Sequence, residues 1–286
     1  MNRLAWGFAL FLLAAGPALG QAVKVEAVQY PAWLDRGSYT VPLSPGIALE
    51  ARDRVRTGAN ARVLLRLGEG SSVKLGENAR FEVEHVEPRG IFHAALQVIA
   101  GAFRLTTEAL AKRQRRDITI RVATITTGIR GTDVWGKSAA ERDLVCLLEG
   151  KVTVSAEGHE AVTLDSRGAF YQKPRGGEPQ VARVDEKQIG IWSLETEIAP
   201  DGAAGRVGGG WRVVAGRFPD RDRALALRRT LREAGYPAQV APEEGLFAVQ
   251  VTGLEGEAQA RSLMGNLRTV PGVGIPSVGP MTGRAR

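Results

Sequence analysis

The apolar positions of this chain change their period several times, and those changes divide it into parts. Residues 117–154 read as extended runs in series. Ile118, Ile120 and Val122 alternate with Thr119, Arg121 and Ala123, the pattern of a strand with one buried face. Positions 144–148 are apolar throughout, which predicts a strand covered on both faces. Gly128 and Gly131 lie between these runs and let the backbone bend. Glu149-Gly150 then turns the chain into 151–154, where Val152 and Val154 point one way and Lys151 and Thr153 the other. The order of apolar run, glycine and alternating run occurs at 96–105 around Gly101, at 145–154 around Gly150, and more weakly at 162–170 around Gly168. Such an echo suits stacked hairpins of a plain β sandwich or a short solenoid-like layer.

The same strand period marks Ala61, Val63, Leu65 and Leu67 against Arg62 and Arg66, and Phe81 and Val83 against Glu82 and Glu84. A β domain over 46–173 follows from these runs. Residues 21–45, with Pro31, Trp33, Pro42 and Pro45, form a leading segment with one expected edge strand at 22–29. The stretch 174–210 reads as a linker with a short helix at 185–198, whose inward face is Ile191, Leu194 and Ile198; the glycine-rich part, 199–210, is expected to be flexible.

From Trp211 the rhythm changes. A strand at 211–216 precedes a helix capped by Asp220 or Asp222, with Ala224, Leu227, Leu231 and Ala234 on one face and Gly235 as its stop. Strands at 237–241 and 247–252 flank a turn at 242–245. A second helix at 256–268 buries Ala260, Leu263 and Leu267, and 273–278 supplies a fourth strand. The order βαββαβ over 211–280 predicts a small α+β, ferredoxin-like domain. Alternation sends Val213, Ala215, Val249 and Val251 toward the helices, and Arg212, Val214, Gly216, Ala248, Gln250 and Thr252 to the open face.

Composition narrows the class. Of 286 residues, 44% are apolar and 24% charged, which suits a folded chain of about two domains. The 35 glycines and 14 prolines favour many turns and short strands. Residues 1–20 have the form of a secretory signal: Arg3, an apolar run at 4–15, Pro17, then small residues at 18 and 20. That run is too short to span a bilayer, so the mature chain is expected to be exported to the periplasm without a membrane span. Cys146, the only cysteine, lies in an apolar strand and reads as a buried hydrophobe. The net charge is +7. Residues 211–286 hold 11 basic and 7 acidic side chains, so the excess is spread along the chain and does not mark a nucleic-acid groove. The basic cluster at 112–116 is either a solvated hairpin tip or a contact for acidic polymer.

Chemistry-bearing motifs are sparse. His85, His93 and His159 lie in separate segments without ligand spacing, no nucleophile elbow or phosphate loop occurs, and Gly205–Gly210 lacks a preceding strand. No catalytic residue, metal site or cofactor is expected.

Five pieces of the β region resemble the FecR domain family: Val55-Arg56-Thr57-Gly58, the strand at 63–67 with Gly70 to Leu75, the run 96–101, Arg130-Gly131-Thr132, and Leu147 to Val152. Thr126-Thr127 stands where that family often has Thr-Pro. The resemblance implies an all-β extracytoplasmic domain for protein contacts or sensing. Residues 211–280 resemble the SPOR (sporulation-related repeat) domain through Trp211 to Phe218, Ala224 with Leu227 and Leu231, Ala234-Gly235-Tyr236, and Phe247 to Val251 with Gly253. Arg217 stands where that family often has Ser, and Val214 where it often has Gln. This resemblance implies binding of peptidoglycan glycan strands stripped of stem peptides, with Arg212, Val214, Arg217, Gln250 and Thr252 as the contact residues. Arginine and glutamine supply the donors, and Gln250 also an acceptor, for sugar groups. Together these readings predict an exported, noncatalytic envelope protein, anchored to glycan by one domain and offering the other to an unidentified envelope protein. The alternatives are a FecR-type signal-transduction regulator or an enzyme of glycan turnover. Only residues 1–3 precede the apolar run, which argues against a cytoplasmic sigma-factor segment.

Overall fold

Alternate burial along most strands builds two stacked sheets. The computed structural model describes residues 23–87, 91–108, 116–129 and 131–281. The expected leader at 1–20, four residues of the basic cluster (112–115) and Arg130 lie outside the described residues.

In the first sheet the strands run Gln180–Arg183, Ala169–Pro174, Arg142–Glu149, Asp133–Ser138, the second half of Phe92–Thr106, Ser72–Leu75, Arg62–Leu67 and Val23–Gln29. In the second they run Tyr39–Pro42, Ala32–Arg36, Arg54–Thr57, Arg80–Glu87, the first half of Phe92–Thr106, Arg116–Val122, Ile125–Ile129, Val152–Ala156 and Val162–Leu164. All of these pairings are antiparallel except Phe92–Thr106 with Arg116–Val122. Inward residues of both sheets, such as Val63, Leu105 and Val145 from one and Phe81, Ile120 and Val154 from the other, form a common core.

The sequence echo corresponds to a device for changing sheets. Ala100 still pairs with the second sheet, and Gly101 already pairs with the first. Gly150 carries the chain from Arg142–Glu149 in the first sheet to Val152–Ala156 in the second. Gly168 returns it to the first sheet, and Gly131 makes the same crossing between Ile125–Ile129 and Asp133–Ser138. Their φ angles are +84°, +88°, +80° and +70°, the left-handed region open to glycine.

The strand Arg142–Glu149 is buried at every position from Asp143 to Leu148, as its apolar run implied. Val145 and Leu147 face the inter-sheet core. Leu144, Cys146 and Leu148 face outward, where the helix Glu186–Leu194 covers them with Ile189 and Trp192. Trp192 stacks on Trp135 at 4.7 Å. The expected helix face is therefore displaced: Ile191 and Leu194 are 50% and 69% exposed, and Ile198 lies beyond the helix. The Trp192 stack decides the rotation, because the indole covers more apolar area than either aliphatic side chain. Asp185 caps this helix by accepting from Gln188 N–H at 2.8 Å.

Two readings of the connecting segments change. Val23–Gln29 is not an edge strand: it pairs with Arg62–Leu67 on one side, and with Ala48–Leu49 and Ala204–Arg206 on the other. The glycine-rich stretch at 199–210 contains a strand, Ala204–Arg206, with Ala203 and Ala204 buried. Small side chains let it fit between two partners, since a Cβ on Gly205 would come 2.5 Å from the Tyr30 hydroxyl oxygen. Composition suggested flexibility; close packing decided otherwise.

The C-terminal sheet has the strand order Gln239–Glu243, Leu246–Leu254, Trp211–Phe218, Ser277–Pro280, antiparallel throughout. The helices Arg221–Glu233 and Glu257–Leu267 lie on one face, where Leu227, Leu231, Leu263 and Leu267 pack with Val213, Ala215, Val249 and Val251. Asp220 is the N-cap of the first helix, accepting from Asp222 N–H at 2.8 Å. Among the described residues, no helix is long and apolar enough to cross a membrane.

Candidate functional site

The open face of the C-terminal sheet is shaped by a bulge. Val214 pairs with Gln250, yet the next pair is Gly216 with Val249, so Ala215 is the extra residue. Gly216 consequently turns to the helix side, where a Cβ would lie 3.3 Å from Leu227 Cδ2. This corrects the outward placement that strict alternation gave Gly216. The same slip returns Arg217 to the face that holds Arg212 and Val214.

Arg212 donates to Gln250 Oε1 at 2.8 Å and to Glu243 Oε1 at 2.6 Å. Arg217 donates to Glu243 Oε2 at 3.0 Å and to Ser277 Oγ at 3.4 Å. One carboxylate thus holds both guanidiniums. The hydrogen bond from Arg212, joined by that from Arg217, keeps the Glu243 carboxyl below the usual glutamate range. Although they lie on the face without helices, Val214 and Gln250 are only 3% and 7% exposed. Thr252 pairs across the strands with Arg212 and accepts from Gln239 Nε2 at 3.0 Å. The five expected contact residues therefore share one face. Arg212, Arg217 and Gln250 belong to one hydrogen-bonded group, and Thr252 borders it.

Glu243, Gln239 and Ser277 were not legible as members of this group. Pro242-Glu243-Glu244-Gly245 has the composition of a turn, so the strand was expected to stop at 241. Its signal was present all the same: Gln239, Ala241 and Glu243 continue the period of two on the outer face. Ser277 was expected near the end of a strand at 273–278, whereas the fourth strand is Ser277–Pro280.

Beyond Thr252 lies a cleft of about 460 Å³ between the two domains, lined by Tyr30, Arg206, Gly208 and Gln239 among others. The domains meet through several contacts there. Ala204–Arg206 pairs with Val23–Gln29, and its Gly205 with Leu254. Trp33 Nε1 donates to the Glu233 carbonyl at 3.0 Å, and Ala32 N–H to the Gly235 carbonyl at 3.3 Å. Arg206 bridges Glu26 at 3.2 Å and Glu255 at 3.1 Å.

Comparison with known proteins adds to this geometry. Two crystal structures described as a candidate anti-sigma factor from Parabacteroides distasonis ATCC 8503 are similar in part. One is 13% identical with a TM-score of 0.42, covering 49% of this chain and 64% of that chain. The other is 11% identical with a TM-score of 0.42, covering 75% and 89%. This chain thus spans somewhat less than two thirds of the first of them. No curated protein matches in sequence. Residues 53–153 match the family model described as FecR protein, and residues 207–274 match that described as SPOR domain. The chain therefore carries a FecR domain and, after it, a SPOR domain.

Proposed function

We propose that this is a noncatalytic protein of the periplasmic cell envelope. Its ferredoxin-like C-terminal domain, residues 211–280, binds peptidoglycan glycan strands stripped of stem peptides, and its FecR domain serves as a protein-interaction or sensing module. The observation that carries this reading is the bulge at Ala215, which collects Arg212, Arg217 and Gln250 on the helix-free face beside Val214 and Thr252. Glycan binding needs donors and acceptors held in place next to apolar surface, because sugar rings present hydroxyl and amide groups at their edges and C–H groups on their faces. Arg212 and Arg217 supply the donors, and Glu243, with the nearly buried Gln250 accepting from Arg212, fixes the guanidiniums. The SPOR match over 207–274 supports the ligand class.

The test is retention of the full chain on purified, amidase-treated sacculi. The triple variant Arg212→Ala, Arg217→Ala, Gln250→Ala should lose retention while its circular dichroism spectrum is unchanged. Each hydrogen-bonding group contributes about 0.5–1.5 kcal/mol, so single changes should weaken binding only a few-fold. Undiminished retention by the folded triple variant removes this face; failure of the wild type to bind removes the function.

The FecR match over 53–153 favours a second reading, a signal-transduction regulator. Crosslinking from the FecR domain in living cells separates the two. Capture of a signalling receptor or a sigma-factor regulator supports the second reading, and capture of envelope-assembly proteins supports the first.

A further inference from the structure

A second concave site lies on the other side of the C-terminal sheet, where the helix Arg221–Glu233 leans on the FecR domain. It is a cleft of about 750 Å³. One wall is the strand pair Ala32–Arg36 and Tyr39–Pro42 with Arg56; the other carries Arg228, Arg229 and Arg232. Trp33 joins the walls, with its Nε1 hydrogen spent on the Glu233 carbonyl and Arg56 stacked 5.3 Å from its ring centre.

The charges in this cleft are unevenly matched. Arg56 is neutralised by Asp35, to which it donates at 2.6 and 3.0 Å, and Thr40 takes a further position on the same carboxylate at 2.6 Å. Asp35 is therefore occupied. Arg228, Arg229 and Arg232 have no ion-pair partner within 4.0 Å among the described residues, and Glu233, which also lines the cleft, meets the opposite wall through its backbone carbonyl. Arg228 and Arg232 are four residues apart and so neighbours on one helix face, an arrangement that is destabilising for like charges. Burial, with the Arg228 charge added, pulls Arg232 below the ordinary arginine pKa. Four guanidiniums thus line one concave site; Asp35 pairs with one of them, and the other three have no ion-pair partner among the described residues.

We infer that this interdomain cleft is an anion-binding site for a phosphate-bearing ligand, held by Arg228, Arg229 and Arg232 against the Trp33–Arg56 wall. The planar fork of guanidinium N–H groups matches phosphate oxygens in pairs. A multiply charged phosphate also answers several cations within one helical turn, which a single carboxylate does not. Because the helices separate this cleft from the open sheet face, the two sites are independent, and the inference does not rest on the glycan reading.

The phosphate has two possible sources, a soluble phosphorylated ligand or a lipid headgroup, and the experiment separates them. The full chain is titrated calorimetrically with inorganic tripolyphosphate at low salt, and in parallel cosedimented with phosphatidylglycerol vesicles against phosphatidylcholine vesicles. Three proteins are compared: wild type, the double variant Arg228→Gln, Arg232→Gln, and Arg261→Gln as a control on the other helix. Wild type and control should bind at least one of the two probes, weakening as salt rises. The double variant should bind at least about tenfold more weakly, the effect of losing two charge-assisted contacts, with a melting temperature no lower than that of wild type, since a repulsive pair is removed, and with unchanged sacculus retention. Binding of tripolyphosphate alone assigns a soluble ligand. Binding of phosphatidylglycerol vesicles, with or without tripolyphosphate, assigns a headgroup. Failure of wild type to bind either probe overturns the proposal, as does equal binding by the folded double variant.

Discussion

Arg212 and Glu243 meet at 2.6 Å across the open sheet face, and the second oxygen of the same carboxylate holds Arg217 at 3.0 Å. A residue read as part of a turn thus positions the two strongest donors of the proposed glycan site. Glu243→Ala should lower sacculus retention a few-fold, because Arg212 and Arg217 lose their common anchor, while melting changes little. The pairing also has a pH sense. The folded carboxyl titrates below its unfolded value, so the pair contributes stability above the unfolded value and loses it as pH falls through the folded one. Retention should therefore be flat through neutral pH and fall only below the ordinary glutamate range. A fall centred near pH 7 would assign the dependence to another group.

The glycines that change sheets should not be equivalent. Gly131 has φ +70° with open space where a Cβ would go, so Gly131→Val should cost about 1–3 kcal/mol from backbone strain alone. Gly101 has φ +84°, and a Cβ there would come 2.6 Å from Ala79 Cα. Gly101→Val should cost more, since overpacking is added to strain. Urea denaturation of the two variants tests the order, and equal stabilities would reject the corner role.

Cys146 is fully buried between Arg142–Glu149 and the covering helix, and burial pushes its thiol up to about 12. The native protein should react with a thiol reagent at neutral pH only on the timescale of unfolding. Cys146→Ser should cost about 1–3 kcal/mol by placing a hydroxyl in an apolar site, and Cys146→Ala less. Rapid labelling of the folded chain would contradict this burial.

Gly235 fixes how the domains meet. Its φ is +84°, and a Cβ there would lie 2.8 Å from the Trp33 ring and 2.9 Å from Pro31 Cβ. Gly235→Ala should therefore loosen the junction without unfolding either domain. Trp33→Phe, which removes the hydrogen bond to the Glu233 carbonyl, should have a milder effect of about 0.5–1.5 kcal/mol. Limited proteolysis reads the result: cleavage within 199–210 should accelerate in Gly235→Ala, and an unchanged rate would show that this contact does not hold the junction.

Local periodicity determined much of this protein. The strand at 118–122, the doubly covered run at 144–148 and the order βαββαβ after Trp211 all follow from spacing, because a strand repeats every two residues and a helix every 3.6 whatever they pack against. The inward placement of Val213, Ala215, Val249 and Val251 follows from the same rule. Tertiary structure decided the features that depend on a partner distant in sequence. Residues 204–206 become a strand because Val23–Gln29 and Leu254 offer backbone partners there, which glycine-rich composition does not reveal. The short helix turns Ile189 and Trp192 inward because Trp135 supplies a stacking surface 57 positions away. The bulge at Ala215 reverses the alternation for Gly216 and Arg217, and it is a property of pairing with Leu246–Leu254 rather than of either strand alone. The arginine cleft, likewise, exists only because Trp33 and the helix Arg221–Glu233, some two hundred residues apart in the chain, are brought into contact by folding.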